Sequence, residues 1–216
     1  MNYKAIILDH DDTVVDSTAT VHYPAFVSFM TDLRGGTDIT LEDYFSFNLN
    51  PGVLPFFQNI VGLNDEEMRR EEAFWRDYVS RHIPKAYPGM KELLWNYKEA
   101  GGKIGVISHS FSDFIRRDYE ANGLPAPDII YGWETPRDIR KPQPHCVWEI
   151  LERFDLKKEE VIVLDDLKPG YDMAAAAGVP FAAAAWAGDY PTVAAFMQAK
   201  CKYYCRTIGE FARLVM

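Results

Sequence analysis

Cysteine is scarce in this sequence: Cys146, Cys201 and Cys205 are the only three in 216 residues. So small and odd a number excludes a disulfide framework. Cys201 and Cys205 also lack a second pair or a histidine cluster that would complete a zinc site, and all three read as thiols in a reducing compartment. Long apolar runs are missing too. The alanine-rich stretch 174–185 is cut by Gly178 and Pro180, so no membrane span is expected. The N-terminal run Ala5-Ile6-Ile7-Leu8 is short and ends in aspartates, not at a cleavage site, so no signal peptide is read and a cytoplasmic location is expected. Basic residues number 23 against 32 acidic ones, a formal charge of −9. Without a clustered basic face, nucleic acid is not an expected partner. The negative balance does not exclude a phosphorylated ligand, since a metal and one or two local cations reverse the field inside a site. Repeats and low-complexity segments are absent.

What is present is an ordinary globular composition, 48% hydrophobic and 25% charged, long enough for one α/β core with a small second domain. Ala5–Leu8, Lys103–Ile107, Val161–Leu164 and Phe181–Ala185 are apolar without polar alternation, as strands buried on both faces are. Helical patterns lie between them, over Met90–Ala100, Phe111–Asn122, His145–Phe154 and Asp172–Ala177, several ending at glycine. Such alternation predicts a parallel sheet covered on both sides. Residues 17–86 break the alternation with helical patterns at His22–Leu33, Leu41–Phe47 and Asp65–Arg81, many aromatics and no convincing strand. The expected organisation is therefore a core of 1–16 and 87–216 interrupted by a helical insert of 17–86.

Ligands of open parallel sheets bind at the carboxyl ends of the strands. The residues there are Asp9, Asp11 and Asp12 after the first run, Ser108 and His109 after the second, and the pair Asp165-Asp166 after the third. Lys141 precedes Pro142 in an irregular segment. An Asp-x-Asp by itself also suits a surface loop, Ser108 suits a helix N-cap, and a lone lysine is usually solvated. Two acidic groups at one sheet edge, however, point to a hard cation held by oxygen, and Mg²⁺ with phosphate as a further ligand fits.

In this order and spacing the motifs resemble those of the haloacid-dehalogenase-like hydrolases. IILDHDDTVVDS is similar to the first motif, VISHS to the second, KPQP to the third and VIVLDDLKPGYDMAAAAGVP to the fourth. The resemblance covers about residues 4–20 and 87–186. It implies a Rossmann-like parallel-sheet core with an inserted α-helical cap, as in the phosphatase branch with phosphoglycolate phosphatase and β-phosphoglucomutase. It further implies a phosphatase in which Asp9 is the nucleophile, forming an aspartyl-phosphate, and Asp11 the general acid/base. Ser108 and Lys141 would hold the phosphoryl oxygens. By its place beside Ser108, His109 reads either as a substrate contact or as a support of the site. Mg²⁺ would be bound by Asp9, Asp11 through its carbonyl, Asp166 and Asp165.

The departures are Asp12, where the family often has glycine, and Gly170, where many members place a further acid. Asp165 would compensate for the latter, and Asp172 reads as a helix-start acid. A dehalogenase needs neither Asp11 nor the Asp165-Asp166 pair. A phosphonate hydrolase needs a cap lysine, and no lysine lies between Lys4 and Lys85. A β-phosphoglucomutase-like mutase shares every core motif but places a histidine where Val21 stands here, one position before His22. A non-enzymatic binding protein would have been free to lose one of the motif residues. The expected substrate is a small phosphorylated metabolite chosen by the cap, where His22, Arg34 and the aromatics Tyr23, Tyr44, Phe45, Phe47, Phe56 and Phe57 lie.

Overall fold

A computed structural model describes residues Met1–Met216. The chain divides into two compact units, Met1–Asp16 with Lys85–Met216, and Ser17–Pro84.

The first unit is built on a six-stranded sheet formed by β1 (Ala5–Leu8), β4 (Lys103–Ile107), β5 (Ile129–Tyr131), β6 (Val161–Asp165), β7 (Phe181–Ala184) and β8 (Tyr203–Cys205). The strands run in the order β5-β4-β1-β6-β7-β8, and every neighbouring pair is parallel. The register pairs Ala5 with both Lys103 and Val161, so β1 is the centre of the sheet. The period of two along each strand explains its unbroken apolar sequence. Ile6, Leu8, Ile104, Val106, Ile162 and Leu164 enter one core layer with side chains of α5 (Met90–Glu99), α6 (Ser112–Ala121) and α10 (Ile208–Val215). Ala5, Ile7, Val161, Val163 and Ala183 enter the other, against α7 (His145–Arg153), α8 (Lys168–Ala177) and α9 (Pro191–Lys200). With both faces covered, both alternating sets must be apolar. The chain runs from β1 to β4 and β5 on one side, then returns to β6 on the other. The direction of winding therefore reverses at β1, and the crevice beyond its carboxyl end is where such sheets bind ligands.

The four strands read from sequence are present, and two were missed. Ile129–Tyr131 and Tyr203–Cys205 are three-residue edge strands, partly exposed, too short for a periodic signal. Two corrections concern boundaries. The helix expected from Asp172 begins at Lys168, because Pro169 sits in its first turn, where a missing N–H costs nothing. Asp172 is thus not a helix-start acid; it lies one turn in and pairs with Lys168. The stretch 17–86 also contains strand residues: β3 (Lys85–Ala86) pairs antiparallel with β2 (Val15–Asp16), matching Val15 to Ala86 and Asp16 to Lys85.

The second unit is helical. A π-helical turn at Thr18–His22 leads into α1 (Tyr23–Arg34), followed by α2 (Leu41–Leu49), the single turn α3 (Val53–Pro55), a π-helical segment Phe56–Val61, and α4 (Asp65–Arg81). Capping boxes begin α2 and α4, at Thr40 with Asp43 and at Asn64 with Glu67. Tyr44, Phe56 and Phe57 are core of this unit, clustered with Phe26, Phe29, Met30, Val61 and Leu63. The rings of Phe26, Tyr44, Phe47 and Phe57 all lie within 5.6 Å of that of Phe56. Arg34 marks a helix end. Gly35 follows it at φ 78° as a left-handed cap, and its guanidinium donates to the carbonyls of Val61 and Gly62. Phe56 is completely buried, so Phe56→Ala is expected to lower the unfolding free energy by about 3–5 kcal/mol. A urea melt followed by circular dichroism checks this.

Candidate active site

Asp9, Asp11, Ser108, Asp165 and Asp166 lie at the carboxyl ends of β1, β4 and β6, Lys141 reaches them from the segment before α7, and side-chain bonds tie these segments together. Asp9 follows β1, and its Oδ1 accepts from Lys141 Nζ at 2.9 Å. The same ammonium lies 2.6 Å from Asp165 Oδ2, at the end of β6. Thr13 Oγ1 donates to Asp166 Oδ1 at 3.3 Å. Ser110 Oγ donates to Asp11 Oδ2 at 2.5 Å, and Ser108 Oγ accepts the Ser110 N–H at 3.2 Å. The first stretch is thus tied to each of the other three. Ser108 is not a helix N-cap, since α6 begins only at Ser112 and Phe111 takes the capping position. Lys141 is not solvated; it is buried among carboxylates.

The turn after β1 is closed by its backbone. The carbonyl of His10 accepts from both Val14 and Val15, and the Asp12 N–H donates to the carbonyl of Val15. Asp12 sits at φ 57°, in the left-handed region that glycine and, among other residues, Asn and Asp occupy most readily. That explains an aspartate at the position where the resemblance led to an expectation of glycine. Gly170 has an equally concrete explanation. A Cβ built there would fall 2.0 Å from Asp165 Oδ2. The Asp165 carboxylate fills the space into which a side chain at 170 would project, so the two positions cannot both carry an acid in this arrangement. The remaining oxygen of Asp165 accepts the Leu167 N–H at 2.9 Å.

His109, expected either to contact substrate or to support the site, has a protein partner. Nε2 lies 2.9 Å from the carbonyl of Lys141, and since a carbonyl only accepts, Nε2 carries the proton. Its pKa is pulled down to about 3, first by burial and then by the Lys141 charge, so the ring is neutral. Trp133 packs edge-on to His109 with centroids 5.6 Å apart, and the Arg140 guanidinium stacks 3.6 Å from the Trp133 ring centre. This group holds the irregular segment that delivers Lys141. Sequence reasoning assigned no role to Ser110, Thr13, Trp133 or Arg140. The only signal for Ser110 and Thr13 was their place beside motif residues.

Carboxylate oxygens of Asp9, Asp165 and Asp166 lie within 4.8 Å of one another, all buried. Burial pushes the Asp165 carboxyl up to about 7 despite Lys141, with Asp9 adding to the rise. Asp166 is raised well above the carboxylate range by burial and then by Asp165, Asp12 and Asp9. On Lys141, burial alone would lower the pKa, but Asp165 and Asp9 overcome it and drive it upward. One fixed cation therefore faces three buried carboxylates. The donor set consists of hard oxygen atoms with surplus negative charge, which fits a divalent cation such as Mg²⁺.

A family model of haloacid dehalogenase-like hydrolases matches residues 6–184, and the chain belongs to that family. Among solved structures, a protein from Bacteroides fragilis provisionally described as a haloacid dehalogenase-like hydrolase aligns with a TM-score of 0.81 at 24% identity, over 97% of this chain and 99% of that one. A predicted phosphoglycolate phosphatase from Haemophilus somnus aligns at 0.80 and 16%, over 100% and 99%. CbbY from Rhodobacter sphaeroides, solved with xylulose-1,5-bisphosphate, aligns at 0.69 and 18%, over 95% and 94%. At these identities the likeness is one of fold. No helix is long and apolar enough to cross a membrane.

Two outcomes are expected from the site. Gly170→Ala displaces Asp165 from Lys141 and costs about 1–3 kcal/mol of stability, whereas the exchange Asp165→Gly with Gly170→Asp relieves the collision; chemical denaturation compares them. The second outcome concerns pH. The folded pKa of Asp165, about 7, exceeds the unfolded value of about 3.9. The folded state thus binds the extra proton in this window, and stability without divalent cation falls as pH rises through it. Melting temperature in EDTA should decline from about pH 5 to about pH 8, and Mg²⁺ should raise it more at the upper end. An equal Mg²⁺ shift at both ends would contradict the assignment.

Proposed function

We propose that the protein is a Mg²⁺-dependent phosphatase acting on a small phosphorylated metabolite, with Asp9 as nucleophile and Asp11 as general acid/base. The observation that carries this reading is the meeting of Asp9, Lys141, Asp165 and Asp166 in one buried cluster. Asp9 attacks phosphorus through a carboxylate oxygen. The bond from phosphorus to the ester oxygen breaks, and Asp11 gives its proton to that oxygen. Asp11 then takes a proton from water, whose oxygen attacks phosphorus, and the Asp9–phosphorus bond breaks to release phosphate. Ser110 orients the Asp11 carboxylate for both transfers. Lys141 and Ser108 receive the phosphoryl oxygens as charge builds on them. Asp9, Asp166, Asp165 and the carbonyl of Asp11 would hold Mg²⁺, which supplies positive charge allowing an anionic nucleophile to meet an anionic phosphate.

The Ser17–Pro84 unit serves in this reading as the cap that selects substrate, because the core groups all serve the phosphoryl group common to every ester. Hydrolysis is favoured over a mutase reaction by the placement of histidine. Val21 is buried, and Nδ1 of His22 accepts the indole N–H of Trp75 at 3.1 Å, which commits one pole of that ring within its own unit. Purified protein is expected to release phosphate from p-nitrophenyl phosphate with Mg²⁺ and not with EDTA. Asp9→Asn should fall by more than about a thousand-fold. Wild-type activity no higher than that of the variant across a phosphate-ester panel would refute the phosphatase; conversion of a sugar phosphate to its isomer without phosphate release would favour the mutase.

A further inference from the structure

His10 separates Asp9 from Asp11, yet the mechanism makes no use of its side chain. It is 1% exposed and continues the alternation of Ile6 and Leu8, whose side chains enter the layer containing α6. There Nε2 lies 3.1 Å from Asp118 Oδ2, and because a carboxylate only accepts, the N–H belongs to the histidine. Asp118 is itself 2% exposed, a charge on the apolar stripe of α6 beside Phe114, Ile115 and Tyr119. Its other oxygen accepts from Arg117 Nε at 2.8 Å and lies 2.7 Å from a terminal nitrogen of the same guanidinium. The Tyr119 ring stacks on His10 with centroids 5.9 Å apart. The main chain of His10 is engaged as well, its carbonyl accepting from Val14 and Val15. A carboxylate buried against a histidine with no role in the chemistry is costly to keep. This one is fixed at the residue that lies between Asp9 and Asp11 and whose carbonyl closes their turn.

We propose that His10 and Asp118 are a positioning pair for the reaction, Asp118 anchoring the imidazole and the imidazole setting the Asp9–Asp11 turn for metal and phosphoryl group. The proposal rests on the phosphatase reading for its kinetic consequence, but its structural consequence, the geometry of the cation ligands, can be measured separately. His10→Phe keeps the ring and its stacking on Tyr119 and removes the donor; His10→Gln restores an N–H at similar reach. In His10→Phe, kcat for p-nitrophenyl phosphate is expected to fall about 10–100-fold with KM nearly unchanged, because displacement of reacting groups by about 1 Å costs on that scale. Mg²⁺ affinity by isothermal titration should weaken by about ten-fold, as it does when groups that orient ligands are lost. His10→Gln should recover most of both. A role in folding alone would lower the melting temperature and leave Mg²⁺ affinity and the kcat-to-KM split unchanged. Folded His10→Phe with wild-type Mg²⁺ affinity, or His10→Gln as impaired as His10→Phe, would overturn the proposal. If His10→Phe does not fold, Asp118→Leu, which is close in size and removes the acceptor, decides by the same titration: unchanged affinity overturns the proposal and weakened affinity supports it. Failure of the wild type to hydrolyse any ester would refute the phosphatase and leave the Mg²⁺ titration to judge the pair.

Discussion

The ammonium group of Lys141 lies buried between the carboxylates of Asp9 and Asp165, and the architecture around it serves to keep that charge in place. Removing two such charges from water costs several kcal/mol each, recovered only with close geometry and satisfied hydrogen bonds. The protein meets this condition with main-chain support. His109 holds the carbonyl of Lys141 itself, Trp133 and Arg140 pack against that support, and Leu167 holds the far oxygen of Asp165. Asp166 lies outside this pairing, and Thr13 gives it a hydrogen bond but no charge. The resulting surplus of negative charge is the site's electrostatic demand for a cation. Burial first, and the neighbouring carboxylates after it, hold the carboxyl groups of Asp165 and Asp166 above their ordinary range.

Much of this core was legible in the sequence because it depends on local signals. Strands buried on both faces show as uninterrupted apolar runs, and four of the six strands have them. The short edge strands do not, since Ile129–Tyr131 and Tyr203–Cys205 are completed by hydrogen bonds to a neighbour, not by their own periodicity. At the site, Asp9, Asp11, Asp165 and Asp166 could be picked out by their position after strands. Ser110 could not be told from an ordinary loop serine, because its bond to Asp11 spans 99 positions. His10 and Asp118 are 108 apart, and neither residue type at its position predicts the other. His109 illustrates another limit. Proximity in sequence to Ser108 left substrate contact and support of the site equally open, and the bond to the Lys141 backbone spans 32 positions.

Residue 170 shows how a glycine at the site depends on the side chain beside it. From sequence, a glycine in place of an acid is a missing ligand. In three dimensions the space is occupied by the Asp165 carboxylate. The carboxylate there belongs to Asp165 at the end of β6, and the backbone at 170 leaves room for it by carrying no side chain. Asp12 is the complementary case, in which one residue type replaces another because both tolerate a left-handed backbone.

The β2–β3 ribbon brings the departure and return of the chain to adjacent strands, with Val15 opposite Ala86 and Asp16 opposite Lys85. Paired strands stand about 4.8 Å apart, so the sixty-eight residues from Ser17 to Pro84 enter and leave through a gap that a tight turn could close. The insert is therefore a detachable module in the topological sense. It can be lengthened, exchanged for an unrelated domain or reduced to a hairpin without altering the register of any strand in the main sheet. Changes of length or sequence between Ser17 and Pro84 are thereby uncoupled, in topology, from the strands that carry the buried acidic cluster.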